Sequence, residues 1–103
     1  MVVSNALAYT WTVENNTNTP INAQIVAMLP LVGRERQRFS AILPAGKKAE
    51  INTGTKCLVQ AEVFFGNNQL SKTWTPALGY ECPGRTITVT GDDPRLSKIS
   101  VGS

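Results

Sequence analysis

The nine residues Cys57-Leu58-Val59-Gln60-Ala61-Glu62-Val63-Phe64-Phe65 decide the fold class. Cys57, Val59, Ala61, Val63 and Phe65 stand at every second position, with Leu58, Gln60, Glu62 and Phe64 between them. A period of two marks a half-buried strand, because successive side chains leave a strand on opposite faces. The same period recurs on either side. Upstream, Tyr9, Trp11 and Val13 alternate with Thr10, Thr12 and Glu14, and Ile21, Ala23, Ile25 and Ala27 alternate with Asn22 and Gln24. Downstream, Ile87 and Val89 are set inward between Thr86, Thr88 and Thr90, and a last strand carries Ile99 and Val101.

Turn chemistry separates these runs. Asn15-Asn16-Thr17-Asn18-Thr19-Pro20 reads as a turn, since Asn tolerates the left-handed region and bonds its own backbone. Leu29-Pro30-Leu31-Val32-Gly33 interrupts the second strand, because Pro30 cannot donate to a ladder. A third strand is expected over 34–43, a turn at Pro44-Ala45-Gly46, and a fourth strand over 47–52 ending at Thr53-Gly54. Gly66-Asn67-Asn68 signals a hairpin leading into a strand over 69–75, and 76–84 is irregular. Gly91-Asp92-Asp93-Pro94 is the last turn.

No apolar stripe at helical spacing runs for about ten residues anywhere. The expectation is an all-β, single-domain antiparallel β-sandwich, immunoglobulin-like or jelly-roll-like, of about seven or eight short strands. Most pairing should be antiparallel, since a parallel pair needs a crossover of about a dozen residues. The 103 residues leave room for one core, placed over 9–103.

Composition narrows the chemistry. Histidine is absent, which removes the commonest general base near neutral pH and the commonest metal ligand. Serine or cysteine nucleophiles would lack a histidine partner, and two cysteines alone cannot complete a four-ligand zinc site. Nothing in the spacing of Glu14, Glu62 and Glu81 predicts a convergent carboxylate pair. Asp92-Asp93 with Glu81 could hold a cation, but an Asp-Asp-Pro turn needs none. Gly33-Arg34 and Gly84-Arg85 are isolated, so no phosphate-cradling loop is present. An enzyme, a cofactor and a metal are all unexpected. The net charge of +3 is spread over a chain only 17% charged, unlike the basic stripes of nucleic-acid binders. No stretch approaches the ~20 apolar residues of a membrane helix.

Two features suggest export. Residues 1–8, Met1-Val2-Val3-Ser4-Asn5-Ala6-Leu7-Ala8, end in the small-x-small pattern that signal peptidase accepts. They read as the remnant of a signal peptide or as an ordinary N-terminal extension. Cys57 and Cys82 are the only cysteines, and in an oxidising compartment they would pair, contributing roughly 3.5 kcal/mol by loop entropy. In the cytosol they would be two small buried hydrophobes. Cys57 falls in phase with the apolar face, so the link should border or cross the core. Asn15-Asn16-Thr17 is also a glycosylation sequon in an expected turn.

Two surfaces are candidates for binding. Arg34, Arg36 and Arg38 would project from one strand face about 7 Å apart, a row suited to polyanions, and Lys47 and Lys48 could widen it. A charged edge strand that resists aggregation explains the same pattern. Trp74 and Tyr80 flank an irregular loop beside the cysteine pair, where exposed aromatics would stack on sugars or anchor a protein. Alternatively Trp74 closes the core and Tyr80 covers the disulfide. The expected function is therefore a non-catalytic exported module, periplasmic or secreted, that binds another protein. A carbohydrate- or polyanion-binding domain using these residues is the first alternative, and a small cytosolic or viral structural protein is the second.

Overall fold

Alternation along β1 (Tyr9–Asn16) sends Trp11, Val13 and Asn15 inward and leaves Thr10, Thr12 and Glu14 on the outer face. Seven further strands follow: β2 (Ile21–Met28), β3 (Arg36–Leu43), β4 (Lys48–Gly54), β5 (Cys57–Phe65), β6 (Leu70–Trp74), β7 (Thr86–Thr90) and β8 (Lys98–Gly102). The computed structural model describes residues 8–30, 35–65, 70–91 and 97–102. The strands form two four-stranded sheets, in the orders β4-β1-β7-β8 and β3-β2-β5-β6. Their inner faces meet in one core. Trp11, Val13, Ile51, Ile87 and Val89 come from the first sheet, and Ile21, Ala23, Ile25, Leu43, Leu58, Ala61, Val63 and Phe65 from the second. The all-β sandwich is as the sequence predicts.

Trp11 is a fully buried member of this core, with an indole N–H that finds no acceptor. Burying a Trp removes about 150–250 Å² from water and stabilises by about 4–6 kcal/mol at ~25 cal/mol per Å². An orphaned donor costs about 1–3 kcal/mol. Hydrophobic burial wins.

Most pairing among the described residues is antiparallel as expected, five pairings of six. Three details differ from expectation. The first is that β1 and β7 run parallel, with Thr12 beside Thr86 and Asn16 beside Thr90. No short crossover is required, because the connection is most of the chain, which builds the other sheet before returning. The second concerns Asn15, which is not in a turn. β1 continues through Asn16, and Asn15 is 0% exposed. Its Nδ2 donates to the carbonyls of Thr19 (2.8 Å), Leu43 (3.1 Å) and Pro44 (3.1 Å), and its Oδ1 accepts from the Thr17 N–H (3.1 Å) and hydroxyl (2.6 Å). The amide ties the end of β1 to the β3–β4 turn, so the nitrogen a glycan would use is already occupied and enclosed.

The third concerns the phase of β5. Against β2, Val26 faces Gln60 but Ala27 faces Leu58, so Val59 is passed over in a β-bulge. One extra residue flips the faces. Leu58 thereby enters the core, while Cys57, although fully buried, lies outside the core cluster. The disulfide lies beside the core rather than across it. Residues 1–7, the Gly66-Asn67-Asn68 hairpin, Gly33, Arg34, Asp92 and Asp93 lie outside the described residues.

Candidate functional site

The irregular segment between β6 and β7 is built on the edge of β5. Trp74 pairs with Ala61, and the next pairing on that edge is an isolated antiparallel bridge between Leu58 and Glu81. From one pairing to the next β5 advances three residues and the other side seven, so residues 75–80 must bow outward. The N–H and C=O of Leu58 and Glu81 bond each other at 2.9 Å in both directions. In antiparallel geometry the pair next to such a doubly bonded pair is unbonded and closer, at about 4.5 Å between Cα atoms. Cys57 and Cys82 occupy that position, with Cα atoms 4.1 Å apart, and are joined by the disulfide.

Other contacts fix the loop to the opposite sheet. Arg85 Nη1 donates to both Glu81 carboxylate oxygens (3.0 and 2.8 Å), and its Nη2 donates to the Val101 carbonyl of β8 (3.0 Å). Gly84 lies so close to β1 that a Cβ there would overlap the Thr10 carbonyl. The Thr12 N–H donates to the Arg85 carbonyl at 3.0 Å, which launches β7 alongside β1. The base of the loop is thus held to β5, β1 and β8.

The tip is different. Pro76 is buried, and the Gly79 N–H closes a turn onto its carbonyl at 3.1 Å, with Gly79 at φ +93°, a conformation few other residues adopt. Leu78 between them is 90% exposed and Tyr80 43% exposed. A single exposed leucine is ordinary on a protein surface. A leucine and a tyrosine raised on a covalently clamped loop have little chain entropy left to lose on contact with another surface.

The remaining candidates are dispersed. Trp74 packs half-buried against the core, whereas Tyr80 is exposed on the loop. Arg36 and Arg38 are exposed on the outer face of β3, opposite Met28 and Val26, while Arg34 lies outside the described residues. Arg38 donates to Gln24 Oε1 and stands 3.8 Å from the Glu62 carboxylate. Lys47 and Lys48 do not extend this row. Lys48 opens β4 beyond the turn after Leu43, at least five residues and roughly 16 Å of strand from Arg38, and pairs with Glu14 on the other sheet's outer face. Leu78 escaped the sequence reading because a lone leucine between proline and glycine has no period to betray it.

Among the described residues no group of three or more His, Cys, Asp and Glu side chains could hold a metal, and no helix is long and apolar enough to cross a membrane. Comparison with protein-family models, curated proteins and solved structures finds no match.

Proposed function

We propose that this chain is a non-catalytic, exported interaction module that binds another protein through the clamped loop, with Leu78 and Tyr80 as its anchors. The observation that carries the reading is the contrast between a base fixed by the disulfide, the Leu58–Glu81 bridge and Arg85, and a tip that exposes a leucine and a tyrosine. Protein hot spots are rigid, apolar or aromatic and few, and this loop supplies that chemistry. Export is supported by the oxidised state of the only two cysteines, since structural disulfides persist in oxidising compartments. Sugar binding is less favoured because Trp74 is half-buried against the core.

The test places a photo-crosslinking residue at Ala77 in protein produced in its native host. One discrete adduct to a second protein is expected, lost on Leu78→Ser and Tyr80→Ser with no change in melting temperature. Adducts that survive both substitutions, or none under any condition, would overturn the reading. Cell fractionation checks the compartment: free thiols in protein recovered from the cytosol without reductant would refute export.

A further inference from the structure

We infer that the β3 edge is a second docking surface, one that accepts an acidic, extended segment of another protein as an added strand. Among the described residues β3 is the outermost strand of its sheet and, at eight residues, the longest of the four edge strands; β4 has seven, β6 five and β8 five. An edge strand presents a line of unpaired N–H and C=O groups that an extended peptide can complete, with side chains at alternate positions setting specificity. Arg36, Gln37 and Arg38 are all exposed, so the first half of β3 is open on both of its faces.

The side chains on the outer face of β3 define the occupant. Arg36, Arg38, Ser40 and Ile42 follow one another at every second residue, opposite Met28, Val26, Gln24 and Asn22 of β2. Arg36 has no ion-pair or hydrogen-bond partner among the described residues, and Arg38 has only its Gln24 contact and the long approach to Glu62. Glu35, exposed just before the strand, falls out of this row. Ile42 is 75% exposed at the other end. A neighbouring strand carries side chains at the same two-residue repeat, about 5 Å away across the pair. Two carboxylates would meet the two guanidiniums, a small polar residue would meet Ser40, and an apolar residue would meet Ile42. Read in the antiparallel sense, the partner's pattern is apolar-x-polar-x-acidic-x-acidic.

A second copy of the chain does not supply it. The outward rows of the other edges are Lys48, Glu50 and Asn52 on β4, Ser71 and Thr73 on β6, and Lys98 and Ser100 on β8. Among the described residues none has two carboxylates. A sulfated or phosphorylated polyanion would engage the arginines but leave the backbone line and Ile42 unused, so an acidic strand accounts for more of the surface.

The experiment uses a labelled peptide Ile-Thr-Ser-Thr-Glu-Thr-Glu, its Glu→Lys counterpart, and a version N-methylated at alternate amides with the charge unchanged. Heparin serves as a polyanion without a peptide backbone. Fluorescence anisotropy should show binding of the first peptide, weakened about tenfold by Arg36→Ser with Arg38→Ser and weakened by salt. The lysine and N-methylated peptides should both fail, and amide shifts in NMR spectra should concentrate on β3 and β2. Equal binding of the N-methylated peptide, or displacement by heparin with equal sensitivity to the arginine substitutions, would replace the strand with a polyanion surface. No binding of the acidic peptide would overturn the inference outright. Leu78→Ser leaves this binding unchanged, so the two surfaces fail or succeed independently.

Discussion

At the residue scale the tightest constraints fall on side chains with no chemistry to perform. Asn15 satisfies five hydrogen bonds at zero exposure, so truncating it removes bonds from the Leu43 carbonyl and the Thr17 N–H together, while the Pro44 carbonyl keeps only the Lys47 N–H. Asn15→Ala is expected to cost about 2–4 kcal/mol, because buried groups left unpaired lose their solvation without recompense. Thermal unfolding should register it as a fall of about 10 °C or more in a domain of this size. A shift under a few degrees would mean that water or a rearranged turn takes over those bonds. Asn15→Asp should be worse, since a carboxylate not only fails to donate to the three carbonyls but sets a buried negative charge against their oxygens. Gly84 is the second such position. Gly84→Ala drives a methyl into the Thr10 carbonyl, a backbone atom that cannot step aside without breaking β1 from β7. A loss of about 3 kcal/mol or more is expected, against about 0.5 kcal/mol or less for Gly102→Ala, where a Cβ meets nothing. Urea denaturation of the two variants gives the comparison directly. Asn15 is not legible in the sequence for a physical reason: an asparagine amide can bond its own backbone in a turn or a distant strand's carbonyls, and composition does not say which.

At the element scale, alternation made most strands legible, and what it missed were features that break alternation. The bulge at Val59 cannot be read from Leu58-Val59-Gln60, because all of Cys57, Leu58 and Val59 are apolar and either phase looks sound. Its consequence is local but large. It turns Leu58 into the core and leaves Cys57 facing Cys82, so the disulfide clamps the loop rather than joining the two sheets. The Thr86, Thr88 and Thr90 row is half-buried and outward as expected, since a five-residue strand with strict alternation leaves no second choice. From the position of the disulfide follows a divided response to Cys57→Ala with Cys82→Ala. Global stability should fall by roughly 3.5 kcal/mol, the entropy of a closed loop of about 25 residues. The β5–β2 pairing should persist, and hydrogen exchange should rise most at residues 75–82. Uniform acceleration across β2 and β5 would show instead that the link supports the core.

At the scale of the whole molecule, the two sheets differ in how much chain they must gather. The sheet β3-β2-β5-β6 uses residues between Ile21 and Trp74, and its β2–β3 pairing joins consecutive strands. The other sheet places β1 in its interior between β4 and β7, so β1 cannot be paired on both sides until the chain has reached Thr86. Closing such a distance costs entropy before any contact repays it, which makes late formation the economical order. Ile25 and Ile87 offer a matched comparison, each essentially fully buried, one on β2 and one on β7. Truncation to alanine should cost about 2–5 kcal/mol at either site. Ile25→Ala is expected to slow folding, because β2 pairs with its neighbour in sequence and should dock early, whereas Ile87→Ala should chiefly accelerate unfolding. Stopped-flow folding and unfolding limbs in urea separate the two. The reverse partition would mean that the parallel β1–β7 pair forms first, and that the longest loop in the molecule closes before the hairpins that topology places within easy reach.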